Sequence, residues 1–259
     1  GQMEEELGVK LFDRGARKIA LTNEGLLLRR RAEEILELVD KTEKELTEQD
    51  ERIEGTVSLG CGDLASVELL PPLFRAFRAR YPAVRFDLYT GTADHIQDRM
   101  DRGLTDIGLL MEPVSVEKYE YIRLARQEQW WVVMHPDAPL ARLARVTPQD
   151  LAGQPLILPR RLSVQSELAG WFGEEFDKLN VVFTSNLPAI SSIVAHNQLA
   201  YSITIRGSLS FWDPEKITCR PLYPELKATS ILAWKRKQPF SPAVSKWIQF
   251  AKETLRPAG

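Results

Sequence analysis

The hydrophobic pattern changes period along the chain. From Leu28 to Ile53, positions alternately four and three apart (Leu28, Ala32, Ile35, Val39, Thr42, Leu46, Gln49, Ile53) form one heptad seam. No proline interrupts this stretch, and no glycine follows Gly25. The spacing predicts one helix over 22–53, about 45 Å long at 1.5 Å per residue. A helix of that length outreaches a small domain, so a coiled-coil dimer is the expected partner. The alternative is an amphipathic helix packed on its own chain. Thr42 and Gln49 weaken the seam.

From Gly55 the period shortens. Strands are predicted at 56–60, 84–89, 106–111 and 129–134, with helices in "LLPPLFRAFRARYP" and "ADHIQDRMDRG". This β-α-β-α-β order argues for a parallel sheet covered by helices. The segment 135–155 is richer in proline and reads as a linker with short helices. A second alternating unit follows, with strands at 156–159, 180–185 and 200–205 and helices at 163–176 and 187–197. Strands at 216–223 and 228–236 and a helix at 241–256 close the chain. Two α/β lobes joined by hinge strands leave a cleft between them. In such sheets ligands bind beyond the carboxyl ends of the strands, here 61–66, 90–92, 111–113, 160–166, 185–187 and 206–208.

The opening "EEELGVKLFDRGARKIALTNEG" reads as a helix end, a basic hairpin and a helix start. Gly8 suits a left-handed helix terminus. Gly15 sits in a turn among Arg14, Arg17 and Lys18, and Thr22 is placed to cap the next helix. A basic hairpin can lie along a nucleic acid backbone; the plain alternative is a solvated turn.

Charge and composition narrow the classes. The net charge of −2 gives no overall basic footprint, and no apolar run reaches the roughly 20 residues of a membrane helix. The two cysteines, Cys61 and Cys219, lack CxxC spacing, which fits a reducing cytoplasm. His95, His135 and His196 are expected to be isolated from each other and from both cysteines, no HExxH, GxSxG or P-loop occurs, and neither a metal site nor a catalytic constellation is expected. "GCGDLA" (60–65) matches a dinucleotide fingerprint, but Pro71 and Pro72 stand where its helix should run unbroken.

In "LPRRLSVQSELAGWF" (158–172), a strand gives way to a helix start. The exposed N–H groups there favour an anion, and Arg160 or Arg161 can add a bidentate contact to a carboxylate. The alternative is a capped helix with two solvated arginines. One of Trp130 and Trp131 can line the cleft, with packing between lobes the simpler role.

Taken in order, the opening segment, "GTVSLG…LLPPLFRAFRARYPAVRFDLYTGTADHIQDRMDRGLTDIGLL", "VTPQDLAGQPLIL" and "SPAVSKWIQF" resemble the LysR-type transcriptional regulators over essentially the whole chain. The resemblance implies an α/β fold: a winged-helix remnant (1–21), a linker helix (22–54) and a two-lobed, periplasmic-binding-protein-like effector domain (55–259). In it, 55–134 with about 206–259 form lobe I, and about 135–205 form lobe II. It starts late in the recognition helix, implying a fragment or a late-assigned start, so base-reading residues are not nameable. Arg14, Arg17 and Lys18 are the candidates for DNA-backbone contacts.

The implied function is a ligand-responsive, DNA-binding regulator of the cytoplasm, without enzymatic activity or cofactor. Its implied partners are DNA, a small-molecule effector and further copies of itself, as homodimer or homotetramer. The effector candidates are Gly62, Asp63, Ser66, Thr90, Gly91, Arg160, Ser163, Ser166, Asn186 and Thr204. The helix start near Ser163 favours an anionic effector, whereas Asp63 would repel one. The competing reading is a solute-binding protein without a DNA role.

Overall fold

The computed structural model describes residues 2–14, 19–47, 53–209 and 212–255. A short helix α1 (Gln2–Leu7) ends at Gly8, whose φ of 67° is the left-handed conformation expected there. Strands β1 (Phe12–Arg14) and β2 (Ile19–Leu21) pair antiparallel as the basic hairpin. Arg17 and Lys18 lie outside the described residues, as does the Arg14 side chain. The Thr22 hydroxyl accepts the Gly25 N–H at 3.0 Å and so caps α2 (Asn23–Thr47). The long helix is thus described to Thr47. Residues 48–52 lie outside the described set, and Ile53 is not helical.

Lobe I is built on β3 (Gly55–Cys61), α3 (Leu70–Arg80), β4 (Val84–Thr90), α4 (Ala93–Asp101) and β5 (Ile107–Met111). β3 pairs parallel with both β4 and β5. Then comes β6 (Tyr119–Met134), a 16-residue strand that serves both lobes. Lobe II contains α5 (Pro148–Leu151), β7 (Pro155–Pro159), α6 (Leu162–Phe172), β8 (Asn180–Ser185), α7 (Pro188–His196) and β9 (Tyr201–Ile205). β7 pairs parallel with β8 and β9. The chain closes with β10 (Thr218–Pro221), β11 (Lys227–Lys235) and α8 (Pro242–Thr254).

The strand order β4-β3-β5-β11-β6-β9-β7-β8 runs through both lobes, with β10 also on β6. The first part of β6 pairs with β11, and the last part with β9 and β10. Two expectations change here. The strand expected at 129–134 starts ten residues earlier, because its first half is a lobe I edge. Edge strands are kept polar, and "YEYIRLARQE" shows little of the apolar run that marks a buried strand. Residues 218–222, expected with lobe I, pair and pack with lobe II; Leu222 is in its core, and the return to lobe I comes at β11.

Each lobe has its own core. Phe77 and Trp247, both 0% exposed, anchor that of lobe I, and their rings meet edge to face at 5.1 Å. Leu151, Leu156 and Leu168 are equally buried in lobe II. Gly60 has a packing reason: a Cβ there would stand 2.7 Å from Ile96 on α4, closer than packed carbons approach. No helix among the described residues is long and apolar enough to cross a membrane.

Candidate functional site

Strand ends from both lobes converge on one cleft. Lobe I supplies Gly62, Asp63 and Leu64 after β3, Gly91 to Ala93 after β4, and Met111 at the end of β5. Lobe II supplies Ile157 to Pro159, Arg161, Ser185 to Pro188 and Ser202 to Ile205, and Trp130 of β6 lies between the two groups. Most of this lining is apolar. The cavity measures about 120 Å³, and a water needs roughly 10–15 Å³ on this measure, so it suits a ligand of about ten non-hydrogen atoms.

Of the sequence candidates, Gly62, Asp63, Gly91, Asn186 and Thr204 come together on this lining. Ser66, Thr90, Arg160, Ser163 and Ser166 do not. Ser66 is 0% exposed and bonded inside the fold. Thr90 and Arg160 are exposed. The Ser166 hydroxyl donates to Leu162 O at 3.1 Å, back along its own helix. Of the two arginines, the cleft holds Arg161. Its Nε donates to Asp94 Oδ1 at 2.9 Å, and its two terminal nitrogens to Met111 O at 3.2 Å and Pro113 O at 2.6 Å. Arg161 stands at the N-cap of α6 in lobe II, and all three acceptors belong to lobe I. With 11% of its side chain exposed, it is a tie between the lobes.

Asp63 has more than a third of its surface in water, yet burial among cleft residues pushes its carboxyl above the ordinary value. No hydrogen bond or ion pair among the described residues reaches its carboxylate. The indole N–H of Trp130, a residue 3% exposed, also has no partner among them. Trp131 faces elsewhere, with the Arg206 guanidinium 5.0 Å from its ring centre.

Behind the cleft, Glu128 of β6 is fully buried. Its Oε2 accepts the Ala65 N–H at 2.8 Å. Its Oε1 accepts the Ser66 N–H at 2.9 Å and the hydroxyls of Ser66 and Ser230 at 2.7 and 3.1 Å. These two N–H groups open the short helical turn after the "GCGDLA" loop, where a phosphate would look for free donors. The chain's own carboxylate fills them, which removes the dinucleotide reading. No sequence signal marks Glu128, because its partners are 62, 63 and 102 residues away.

The histidines are closer than their spacing suggests. The rings of His135 and His196 lie 5.6 Å apart on lobe II, correcting the expectation that they are isolated. Among the described residues no three His, Cys, Asp or Glu side chains group as metal ligands.

Lobe I also grips α2. Lys41 Nζ donates to Asp106 Oδ1 at 2.6 Å and to Gly103 O at 2.9 Å. Arg99 pairs with Glu37 at 2.9 Å and Arg102 with Glu34 at 2.8 Å. These contacts use one stripe of the helix. The seam residues Ile35 and Val39 lie roughly 0.4 of a turn away at 3.6 residues per turn and are 59% and 46% exposed. Packing on the chain itself and an open apolar seam therefore coexist on different faces.

Residues 50–256 match the LysR substrate binding domain family. An uncharacterized HTH-type transcriptional regulator of Bacillus subtilis, YvbU, is 28% identical over 97% of this chain and 85% of its own length. The Hca operon transcriptional activator HcaR of Escherichia coli is 26% identical over 98% of this chain and 86% of its own. The structure of CbnR, a LysR family transcriptional regulator also solved with its target DNA, superposes with a TM-score of 0.72 at 21% identity, covering 99% of this chain and 87% of that one. With the family's domain matched over most of its length and the lobes, hinge and linker helix arranged around one cleft, the chain belongs to the LysR-type transcriptional regulators.

Proposed function

We propose that this protein is a ligand-responsive regulator in which a small molecule in the cleft biases the arrangement of the lobes. The helix α2 then passes that bias to paired DNA-binding heads. Arg161 carries this reading: one guanidinium on the cleft lining ties the two lobes together. A ligand shifts such an equilibrium only by its differential affinity for the two arrangements. Gly62, Asp63, Gly91, Asn186 and Thr204 are the proposed effector contacts on the lining. The hairpin, with Arg14, Arg17 and Lys18, is proposed to contact the DNA backbone, which positions a protein without reading sequence. The ion pairs from Glu34, Glu37 and Lys41 to lobe I are the mechanical link to α2.

Fluorescence anisotropy tests this with labelled DNA from the gene's own upstream region and the full-length protein. Specific binding that weakens steeply with salt is expected. In Arg161→Ala the DNA affinity changes severalfold although residue 161 lies in the cleft. Absence of specific binding sinks the regulator reading. DNA binding that ignores Arg161→Ala sinks the coupling.

A further inference from the structure

The cleft is an apolar chamber with two ionisable side chains on its lining, Asp63 and Arg161. Arg161 is already neutralised: Asp94 balances its charge, and two lobe I carbonyls take further donors. Asp63 has no such partner among the described residues. The uncompensated charge facing the chamber is therefore negative. Of the helix starts that face the cleft, which would favour an anion, those of α4 and α7 are partly satisfied from within, while that of α6 has no side-chain cap. Thr92 accepts the His95 N–H of α4, Asp94 lies in that helix's first turn, and Pro188 brings no N–H to the start of α7. Trp130 adds two features. Its indole is the side chain that best accepts a cation over its face, and its unpaired N–H is a donor awaiting an acceptor.

We infer that the cleft takes a small, largely apolar amine of about ten non-hydrogen atoms, with Asp63 meeting its ammonium group. The inference rests on the cleft being the effector site proposed above. An opposite charge within a few ångströms favours the amine, and the same charge works against a carboxylate of the same shape. The water at Asp63 reduces both effects, leaving a preference of about tenfold, or about 1.4 kcal/mol.

Three probes of nearly equal shape test it: tyramine, its neutral alcohol analogue tyrosol, and the acid 4-hydroxyphenylacetate. Binding is followed by calorimetry and by tryptophan fluorescence, on the wild type, Asp63→Asn and Ala93→Trp, which puts an indole on the cleft lining. The expected result is tyramine about tenfold tighter than the acid, a preference erased in Asp63→Asn, and loss of tyramine binding in Ala93→Trp. Acid binding as tight as tyramine and lost in Ala93→Trp overturns the ligand class but keeps the cleft as the site. Tyramine binding that survives Ala93→Trp overturns the cleft reading itself. No tyramine binding at millimolar concentration overturns the amine.

Discussion

Single residues at the cleft are defined by what they already hold. Glu128 and Arg161 are both committed, one to the loop after β3 and one to lobe I, and Asp63 is left over. That leftover has a stability consequence. Burial raises the folded-state pKa of Asp63 above its unfolded value near 3.8. An acid shifted upward destabilises the fold once ionised. The penalty is absent below the unfolded value, grows as pH rises through the folded one, and is complete above it. Asp63→Asn should therefore raise the melting temperature at pH 7, and the gain should vanish on acidification below pH 3.8. Differential scanning calorimetry across pH checks this; an equal gain at acid pH would assign it to packing. The sequence named Asp63, Asn186 and Thr204 for this lining because strand ends are legible from periodicity. It also named Ser66, since a serine after a strand looks the same whether it faces a ligand or a buried glutamate 62 residues away.

Among elements, legibility follows burial. Strands with apolar runs, such as "DIGLLM", show themselves in sequence, whereas the first half of β6 does not, being a charged edge. The seam on α2 was likewise readable, but its second stripe was not. Glu34, Glu37 and Lys41 look like solvated helix charges until Arg102, Arg99 and Asp106 are brought to them. Of these contacts, Lys41 to Asp106 should matter most, because Asp106 is 2% exposed and its other oxygen accepts the Ser58 N–H at 2.9 Å. Exposed pairs such as Arg102 with Glu34 contribute little, because water screens them. Lys41→Met leaves a buried carboxylate without its cation, at a cost of about 1–3 kcal/mol once the partial exposure of Lys41 is allowed for. Chemical denaturation should show that loss, and a second change, Asp106→Asn, should recover part of it in a double-mutant cycle. A Lys41→Met protein as stable as the wild type would mean that α2 is not held there.

At the scale of the whole molecule, the exposed face of α2 calls for a partner of its own. On the seam, Ile35 and Val39 are 59% and 46% exposed, and Leu26, Leu27 and Leu36, 52–65% exposed at other angles around the helix, add to its uncovered apolar surface. Light scattering at micromolar concentration should give at least twice the 29.5 kDa of one chain. Val39→Glu should shift it toward the monomer without unfolding the lobes, because the ion-paired stripe is untouched. A wild type that runs as a monomer would remove the coiled-coil assignment. The shared strand β6 sets a different limit. It is the outer strand of lobe I and an inner strand of lobe II, and β11 reaches lobe I only after the chain has passed through lobe II. The two lobes are therefore not separable modules. Any cut that frees one takes a strand from the other, so recombination can exchange this sensor whole but not by halves.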